Sequence, residues 1–191
     1  APWQEVQLLD GLADRVLDGS ISEIGVSNIG PKRLAWMQQR LAERGVPLRS
    51  VQVQYSLLSS GDAKVDALRQ LCRERGIEVL AYSPLAFGVL TMPPDGERRP
   101  RTVLQRQLLA RLKPASRSLR AVVATIAGQR SVSMAQVALN WCRAQGTTPI
   151  PGLRTPEQAR DVAGAFQWSL TSEELDQLTV ARQQCKVRTP S

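Results

Sequence analysis

The chain has 191 residues, 42% of them hydrophobic, and this length and composition predict a soluble globular protein of one domain with a substantial core. It contains no histidine, which excludes histidine-activated nucleophiles and histidine-ligated metal sites, and no apolar run approaches the roughly 18 residues that a membrane-spanning helix needs. The formal net charge is +8, a surplus that favours an anionic partner without choosing among phosphates, an acidic protein, a membrane surface and nucleic acid.

The first part of the chain alternates strand and helix signals. In chain order the predicted segments are a strand over 21–27, a helix over 31–44, a strand over 50–56, a helix over 63–75 and a strand over 77–83. Pro31 is typical of a first helical position, and Gly45 and Gly76 are typical of residues that end helices. The opening residues lack the basic and apolar regions of a secretory signal, so we interpret the amino terminus as processed or truncated.

Regular patterns return after an interruption rich in proline, glycine and arginine. The predicted segments are a long basic loop over 85–117, helices over 119–129 and 133–145, a strand over 148–151, two helices that open at residues 155 and 171, and a frayed tail over 186–191. The pairs with capping-box spacing are Ser133 with Gln136, Thr155 with Gln158 and Thr171 with Glu174. Four strands that lead into helices indicate βα units in a parallel arrangement.

The positive charge is concentrated in the second half of the sequence. No acidic residue lies between Glu97 and Glu157, and residues 98–154 hold ten arginines and one lysine. The region Arg98–Lys113 is therefore a candidate surface for docking on an acidic protein assembly, and a solvated arginine-rich face is the alternative. Nucleic-acid binding is a weaker interpretation, because this block has almost no aromatic side chains on which bases could stack.

Five short motifs follow one another along nearly the whole chain. They are Ile24-Gly25-Val26-Ser27-Asn28, Gln52-Val53-Gln54-Tyr55-Ser56, Leu80-Ala81-Tyr82-Ser83-Pro84-Leu85, Gln136-Val137-Ala138-Leu139-Asn140-Trp141 and Ile150-Pro151-Gly152. In this order and spacing they resemble the carboxyl-terminal half of an aldo-keto reductase, with plastid members from plants and algae as the nearest likeness. The resemblance implies an α/β fold, the (β/α)8 TIM barrel, of which residues 1–191 supply strands five to eight and their helices. It also implies NADPH as cofactor and a small aldehyde or ketone as substrate.

Three polar residues are candidate ligands of the nicotinamide carboxamide. Ser27 and Asn28 directly follow a strand, and Gln52 offers a donor and an acceptor at the matching level of the next strand. By resemblance, all three hold the nicotinamide amide. An ordinary strand-to-helix cap is the alternative for Ser27 and Asn28.

The strand over 77–83 leads into a turn that is a second candidate cofactor site. Tyr82 presents a flat ring at the strand end, and by resemblance this ring lies against the nicotinamide. Ser83, Leu85 and Gly88 supply a hydroxyl group and backbone donors near a pyrophosphate, with glycine permitting close approach. The alternatives are a tyrosine that closes the barrel core and an ordinary loop.

The loop before residue 155 predicts a phosphate site, because a cation and a helix amino terminus both favour an anion there. Gly152 belongs to this loop, and Arg154 is the candidate ligand of an adenosine 2′-phosphate, with a solvated arginine as the alternative. Gln158 and Asp161, one helical turn apart, are candidates for contact with the adenine or the ribose. Val162 stands where the family often has asparagine, a departure that bears on the adenine contact.

The residues that carry the family's chemistry have no counterpart in this sequence. By resemblance, a tyrosine acid tuned by a lysine and an aspartate, with a histidine beside it, protonates the carbonyl oxygen, and all four belong to the first half of the barrel. We therefore assign no catalytic residue and no metal site to this chain. Since four strands alone leave unpaired edges, the missing half is expected from a longer polypeptide or a second chain, unless the chain is a degenerate module held in an assembly.

Two functions remain open at this level. The first is an NADPH-dependent reductase of small aldehydes or ketones, with this chain as its cofactor-binding half. The second is a non-enzymatic subunit, a pseudoenzyme, docked on a larger plastid assembly through its basic face. Cys72, Cys142 and Cys185 are odd in number and far apart, which fits reduced thiols; with the resemblance, this predicts a chloroplast location, or otherwise a cytoplasmic one.

Overall fold

A computed structural model describes residues 2–96 and 103–185. The chain divides into two compact units, of which the first comprises Ala1–Val53 and Gly61–Leu80 and the second comprises Gln54–Ser60 and Ala81–Ser191. No feature of the sequence marks this division. No helix of the described residues combines the length and the apolar character that crossing a membrane requires.

The first unit alternates helices and strands. Its elements are α1 (Pro2–Leu17), β1 (Ile24–Ser27), α2 (Pro31–Ala42), β2 (Leu48–Gln54), α3 (Ala63–Arg75) and β3 (Glu78–Tyr82), with the last residues of β2 and β3 belonging to the second unit. The strands lie in the order β1-β2-β3, and β1 pairs with β2 in parallel, with Ser27 opposite Gln52. The expected parallel βα arrangement is therefore confirmed for this pair.

One apolar core holds the first unit together. Its fully buried members include Ala13 on α1, Leu34 and Leu41 on α2, and Val51 on β2. These residues occupy the helical and strand positions that point to a single side, so burial of the apolar faces stabilises the packing of α1 and α2 on the strands. Cys72 on α3 belongs to the same core, and burial raises the pKa of its thiol to about 11.

Local signals explain where the helices of the first unit begin and end. Asp62 accepts hydrogen bonds from the amides of Lys64 and Val65 at the start of α3, and Gly76 ends that helix with a left-handed φ of 65°. α2 begins at Pro31, as predicted. The helix predicted over 63–75 thus has the bounds found in the structure.

Ion pairs link α1 to α2 along their exposed sides. Arg40 donates to Asp10 at 3.1 and 2.7 Å, and Arg44 pairs with Asp14 at 2.6 Å. The hydrogen bond from Arg40 lowers the pKa of Asp10 below its ordinary value, and the charges of Arg40 and Arg44 act in the same direction. These ion pairs therefore add a pH-dependent contribution to the stability of the packing between the two helices.

The second unit is mainly helical. Its elements are a 3-10 segment (Ala86–Thr91), α4 (Val103–Ala115), α5 (Arg117–Arg130), α6 (Met134–Ala144), β4 (Thr148–Ile150), α7 (Pro156–Gly164) and α8 (Ser172–Gln184). The end of β3 and β4 are neighbouring strands, and α5 packs on α6 and α8. Side-chain oxygens of Ser133, Thr155 and Thr171 cap α6, α7 and α8, and the reciprocal bond of a complete capping box forms at Thr171 with Glu174.

The prediction of a long loop over residues 85–117 is wrong, because much of the described part of this segment is helical. Residues 86–91 form the 3-10 segment, and Val103–Ala115 form α4. Leu109 and Leu112 are buried at a helical spacing of three, which stabilises α4 by packing despite the many arginines. Residues 98–102 of the predicted docking region and the predicted tail over 186–191 lie outside the described residues.

Candidate functional site

The second unit contains a cleft of about 710 Å³. The residues that line it are Ser83, Pro84, Leu85, Phe87, Gly88, Thr91, Leu108, Ala135, Pro151, Gly152, Leu153, Arg154, Thr155, Gln158, Asp161 and Val162. They come from the turn after β3, from α4 and α6, and from β4 through α7. A cleft of this size falls in the range of sites for small ligands and cofactors.

The turn after β3 forms one wall of the cleft in an unusual backbone conformation. The residues with positive φ are Ser83 (52°), Ala86 (48°), Phe87 (58°) and Gly88 (85°). The amide of Ala86 donates to the Ser83 carbonyl at 2.9 Å, and the amide of Gly88 donates to the Leu85 carbonyl at 2.9 Å. Because non-glycine residues adopt positive φ at an energetic cost, a cluster of them is typical of a segment shaped for a ligand.

The opposite wall is the loop that opens α7. The Arg154 amide donates to Oε1 of Gln158 at 2.9 Å, and the Gln158 amide donates to Oγ1 of Thr155 at 3.3 Å. The guanidinium-bearing Arg154 is exposed, and a Cβ added to Gly152 would meet open space. A cation beside a capped helix amino terminus attracts an anion through both its charge and the helix dipole.

Asp161, on the next turn of α7, lines the same cleft but is also tied to α6. Its Oδ2 accepts from Oγ of Ser133 at 2.8 Å, and its Oδ1 accepts from Nε2 of Gln136 at 2.9 Å. Oε1 of Gln136 in turn accepts from Nε1 of Trp168 at 3.1 Å. The predicted contact of Asp161 with an adenine or ribose stays a prediction, and the structure adds a tethering role for this carboxylate.

The predicted carboxamide ligands lie in the first unit, at the ends of neighbouring parallel strands. Ser27 ends β1 opposite Gln52 of β2, and the amide of Asn28 donates to the Gln52 carbonyl at 2.9 Å. Asn28 has a φ of 54°, and its side chain and that of Ser27 are exposed, whereas Gln52 is half-buried. The structure therefore brings these three residues together with each other.

Seven of the predicted site residues meet in the cleft of the second unit. They are Ser83, Leu85, Gly88, Gly152, Arg154, Gln158 and Asp161. Tyr82 directly precedes Ser83 at the end of β3, outside the set of lining residues. Phe87 and Leu153, which are not among the predicted site residues, are 40% and 45% exposed and supply apolar surface to the cleft. The sequence signal that points to Phe87 is its position as an aromatic residue directly before Gly88.

The donor set of the cleft fits a phosphorylated adenine nucleotide. Arg154 and the amino end of α7 supply positive potential, Ser83 supplies a hydroxyl group, and Phe87 and Leu153 supply surfaces for a planar heterocycle. The arrangement can therefore accommodate an anion attached to a planar ring.

The parallel βα arrangement of the sheet is typical of the barrel-type α/β proteins, the class to which this chain belongs. The sequence matches the model of the Aldo/keto reductase family over residues 3–182, and the chain belongs to that family. The resemblance inferred from the five motifs is thereby confirmed, as is the fold class, of which this chain supplies a part.

The relatives are similar along almost the whole of this chain. The chloroplastic pyridoxal reductase of Arabidopsis thaliana is 42% identical over 184 residues, which are 95% of this chain and 49% of the relative. An uncharacterized oxidoreductase of Mycobacterium tuberculosis is 33% identical over 184 residues, 91% of this chain and 53% of the relative. A crystal structure of a thermostable aldo-keto reductase with the inhibitor epalrestat superposes with a TM-score of 0.66 at 26% identity, covering 92% of this chain and 54% of that one. The chain thus spans about half the length of the proteins it matches.

Proposed function

We propose that this chain is the cofactor-binding part of an NADPH-dependent reductase that converts small aldehydes or ketones to alcohols. The observation that carries the proposal is the cleft in which Arg154 and the amino end of α7 face the Ser83–Gly88 turn. Membership of the aldo/keto reductase family supports the same conclusion. The proposal extends to an aldehyde substrate of the kind named in the Arabidopsis relative, a pyridoxal reductase.

NADPH, when bound, supplies the hydride that reduces a carbonyl group. In the second unit, Arg154 and the first turn of α7 would bind the phosphate on the adenosine ribose, with Gly152 allowing close approach. Ser83 would donate its hydroxyl group to the pyrophosphate, with Leu85 and Gly88 lining the same wall of the cleft, and Gln158 keeps the Arg154 backbone in place. In this proposal the protein binds NADPH more tightly than NADH because Arg154 contacts the 2′-phosphate, which NADH lacks.

In the first unit, Ser27, Asn28 and Gln52 offer the hydroxyl and amide groups that the carboxamide of a nicotinamide requires. In the second unit, Tyr82 ends β3 and offers a flat ring for stacking. Reduction also needs a proton donor, and the chain has no histidine. In this proposal the proton donor and its partners are residues other than those of this chain.

We further propose a chloroplast location. The support is the chloroplastic relative from Arabidopsis, together with three cysteines that the structure describes as free and buried. Free thiols are typical of a reducing compartment. Detection of the tagged protein in isolated plastids or in the cytosol would decide between the two locations.

Titration of the purified full-length protein with NADPH and NADH tests the proposed function. We expect Arg154→Met to weaken NADPH binding about tenfold to a hundredfold, because a charge-assisted contact is lost, and to leave NADH binding unchanged. Arg160→Met is the matched control, since Arg160 lies on the same helix with a side chain 76% exposed and outside the lining set. Equal affinities of the unaltered protein for NADPH and NADH would contradict the role of Arg154, and absence of binding would contradict the proposal.

A second candidate is a subunit that docks on an acidic protein assembly through α4. The observation that favours it is that this part of the basic segment is a helix with Arg106 and Arg111 exposed. If docking is the function, Arg106→Gln with Arg111→Gln should abolish salt-sensitive co-purification with the assembly, whereas Tyr82→Ala should not. Loss of carbonyl reduction in Tyr82→Ala with assembly retained would favour the reductase.

A further inference from the structure

α7 carries the candidate phosphate loop, but no fully buried side chain of its own holds this helix in place. The structure describes all nine residues of α7, and none of them is buried. A surface helix is ordinarily fixed by an apolar stripe that faces the core. Ala165, directly after α7, is the first fully buried residue beyond it. The position of α7 therefore depends on polar contacts.

Two sets of hydrogen bonds from α6 supply those contacts. The first joins Asp161 to Ser133 and Gln136, with distances of 2.8 and 2.9 Å. The second joins the carbonyl oxygen of Ala165 to Nδ2 of Asn140 at 2.9 Å and to Nη1 of Arg143 at 2.6 Å. The first set acts on the middle of α7 and the second on its end, and most residues of α6 itself are buried.

Gln136 has the central place in the first set. Its amide donates to Asp161 and accepts from Trp168, so both of its polar atoms are used and its orientation is fixed. The end of α7 passes close to the Gln136 side chain, as Gly164 shows: a Cβ added to this residue would lie 2.7 Å from Nε2 of Gln136. Leucine at position 136 would leave Asp161 with the Ser133 bond alone.

These contacts fix the part of α7 that faces the cleft. Asp161 lies one turn after Gln158, and Gln158 accepts from the backbone amide of Arg154. Because a helix of nine residues moves as a rigid rod, a shift at Asp161 is passed to Gln158 and from there to the Arg154 loop. Preorganised donors bind an anion more tightly than donors that must first be ordered.

We infer that Gln136, together with Ser133, is a positioning residue for the phosphate site: through Asp161 it presets α7 and Arg154 for an adenosine 2′-phosphate. This inference rests on the proposed function. It assigns to a residue of α6, outside the cleft, part of the affinity for the phosphorylated nucleotide. It also explains why the Asp161 carboxylate, at the edge of an anion site, is held by two donors from α6.

The test is calorimetric titration of the full-length protein with adenosine 2′,5′-bisphosphate. We expect Gln136→Leu to weaken binding about tenfold in the unaltered protein and about twofold or less in an Arg154→Met background, since the group being positioned is then absent. Hydrogen exchange at the amides of α7 should be about tenfold faster in Gln136→Leu, with α5 unchanged. Gln129→Leu, an exposed glutamine on α5, is the control and should leave both measurements unchanged.

A milder pair of variants tests the inference if Gln136→Leu does not fold. Ser133→Ala removes one bond to Asp161 together with the α6 cap, and Thr171→Ala removes the cap of α8 alone. Both should lose a similar amount of stability, because each loses a helix cap, but only Ser133→Ala should weaken binding, by about threefold. Binding that Gln136→Leu or Ser133→Ala leaves unchanged, or weakens equally without Arg154, overturns this inference alone. Absence of binding by the unaltered protein overturns the proposed function and this inference with it.

Discussion

Arg120 has the largest fully buried side chain of the described residues, and it is a charged one. Its guanidinium donates to the carbonyl oxygens of Met92, Pro93, Pro94 and Lys113, and Nε donates to Oγ of Ser116. Burial lowers its pKa, but the donors are all satisfied by main-chain and hydroxyl oxygens. This one side chain therefore connects the chain after the 3-10 segment to α4 and α5.

Replacing Arg120 should have a large effect on stability. We expect Arg120→Met to lower the free energy of unfolding by about 3 kcal/mol, because several buried carbonyl oxygens lose their donor at once. Urea denaturation followed by circular dichroism measures the difference. Arg111→Met, at an exposed position on α4, is the control and should change stability by less than about 0.5 kcal/mol. A loss as small for Arg120 as for Arg111 would contradict its proposed structural role.

At the residue scale, the sequence identified the polar groups of the site better than their partners. The spacing of Thr155 and Gln158 predicts a reciprocal capping box, yet Oε1 of Gln158 accepts from Arg154 instead. Gln136 likewise has the spacing of a capping box and donates to Asp161, 25 residues away. A side-chain amide chooses among partners that only the folded chain brings near, so sequence spacing cannot decide the outcome.

At the scale of elements, the ion pairs between α1 and α2 make their packing depend on pH. Since Arg40 lowers the pKa of Asp10 in the folded state, the pair stabilises the fold above the ordinary aspartate value of about 3.9. The contribution is lost as the pH falls through the lower, folded value. It is modest, because both side chains are about one-third exposed.

We therefore expect Asp10→Asn to be less stable than the unaltered protein at pH 7 and equally stable at the acid end of the titration. Urea unfolding at pH values from 7 downwards measures the difference. Arg40→Met should show a similar but smaller pH dependence, because Arg44 still lies 3.8 Å from Asp10, and the losses in the double variant should be less than additive, because both single variants remove the Arg40–Asp10 pair. A difference that persists unchanged into acid would show that the pair does not act through the charge of Asp10.

Elements with clear start and stop residues were predicted well, and those without them were missed. α3 has an aspartate cap and a terminal glycine, and its predicted bounds are those of the structure. α1 was not predicted, although Leu9 and Ala13 are buried at a helical spacing of four. α4 was predicted as a loop because prolines and glycines precede it, while its helix is stabilised by tertiary packing that local signals do not report.

At the scale of the whole molecule, cofactor binding should appear as added thermal stability. A ligand at 100 times its dissociation constant stabilises the folded state by about 2.7 kcal/mol, which corresponds to a rise in melting temperature on the order of 5 to 10 °C for a protein of this size. We expect NADPH to give this rise and NADH a smaller one. Raising the salt concentration should reduce the NADPH effect more, because exposed charges are screened. Equal salt dependence for both nucleotides would argue against an ionic 2′-phosphate contact.

The sheet predicted at this scale is present, and the family is the one that the motifs indicated, yet the sequence alone left the chain's completeness open. Five motifs at family spacing were enough to place the strands, since strand ends and turns carry the residues that a ligand requires. The division into two units, by contrast, follows from how the helices pack, and no composition shift along the chain announces it.

The buried thiols make this protein convenient for site-specific labelling. All three cysteines lie within the described residues and are enclosed by the fold, and the thiol of Cys72 keeps its proton at any pH used for maleimide chemistry. A cysteine introduced on α7 at an exposed position outside the lining of the cleft, by Arg160→Cys, is then the preferred target for a fluorophore. The change in emission of this fluorophore would then report nucleotide binding directly.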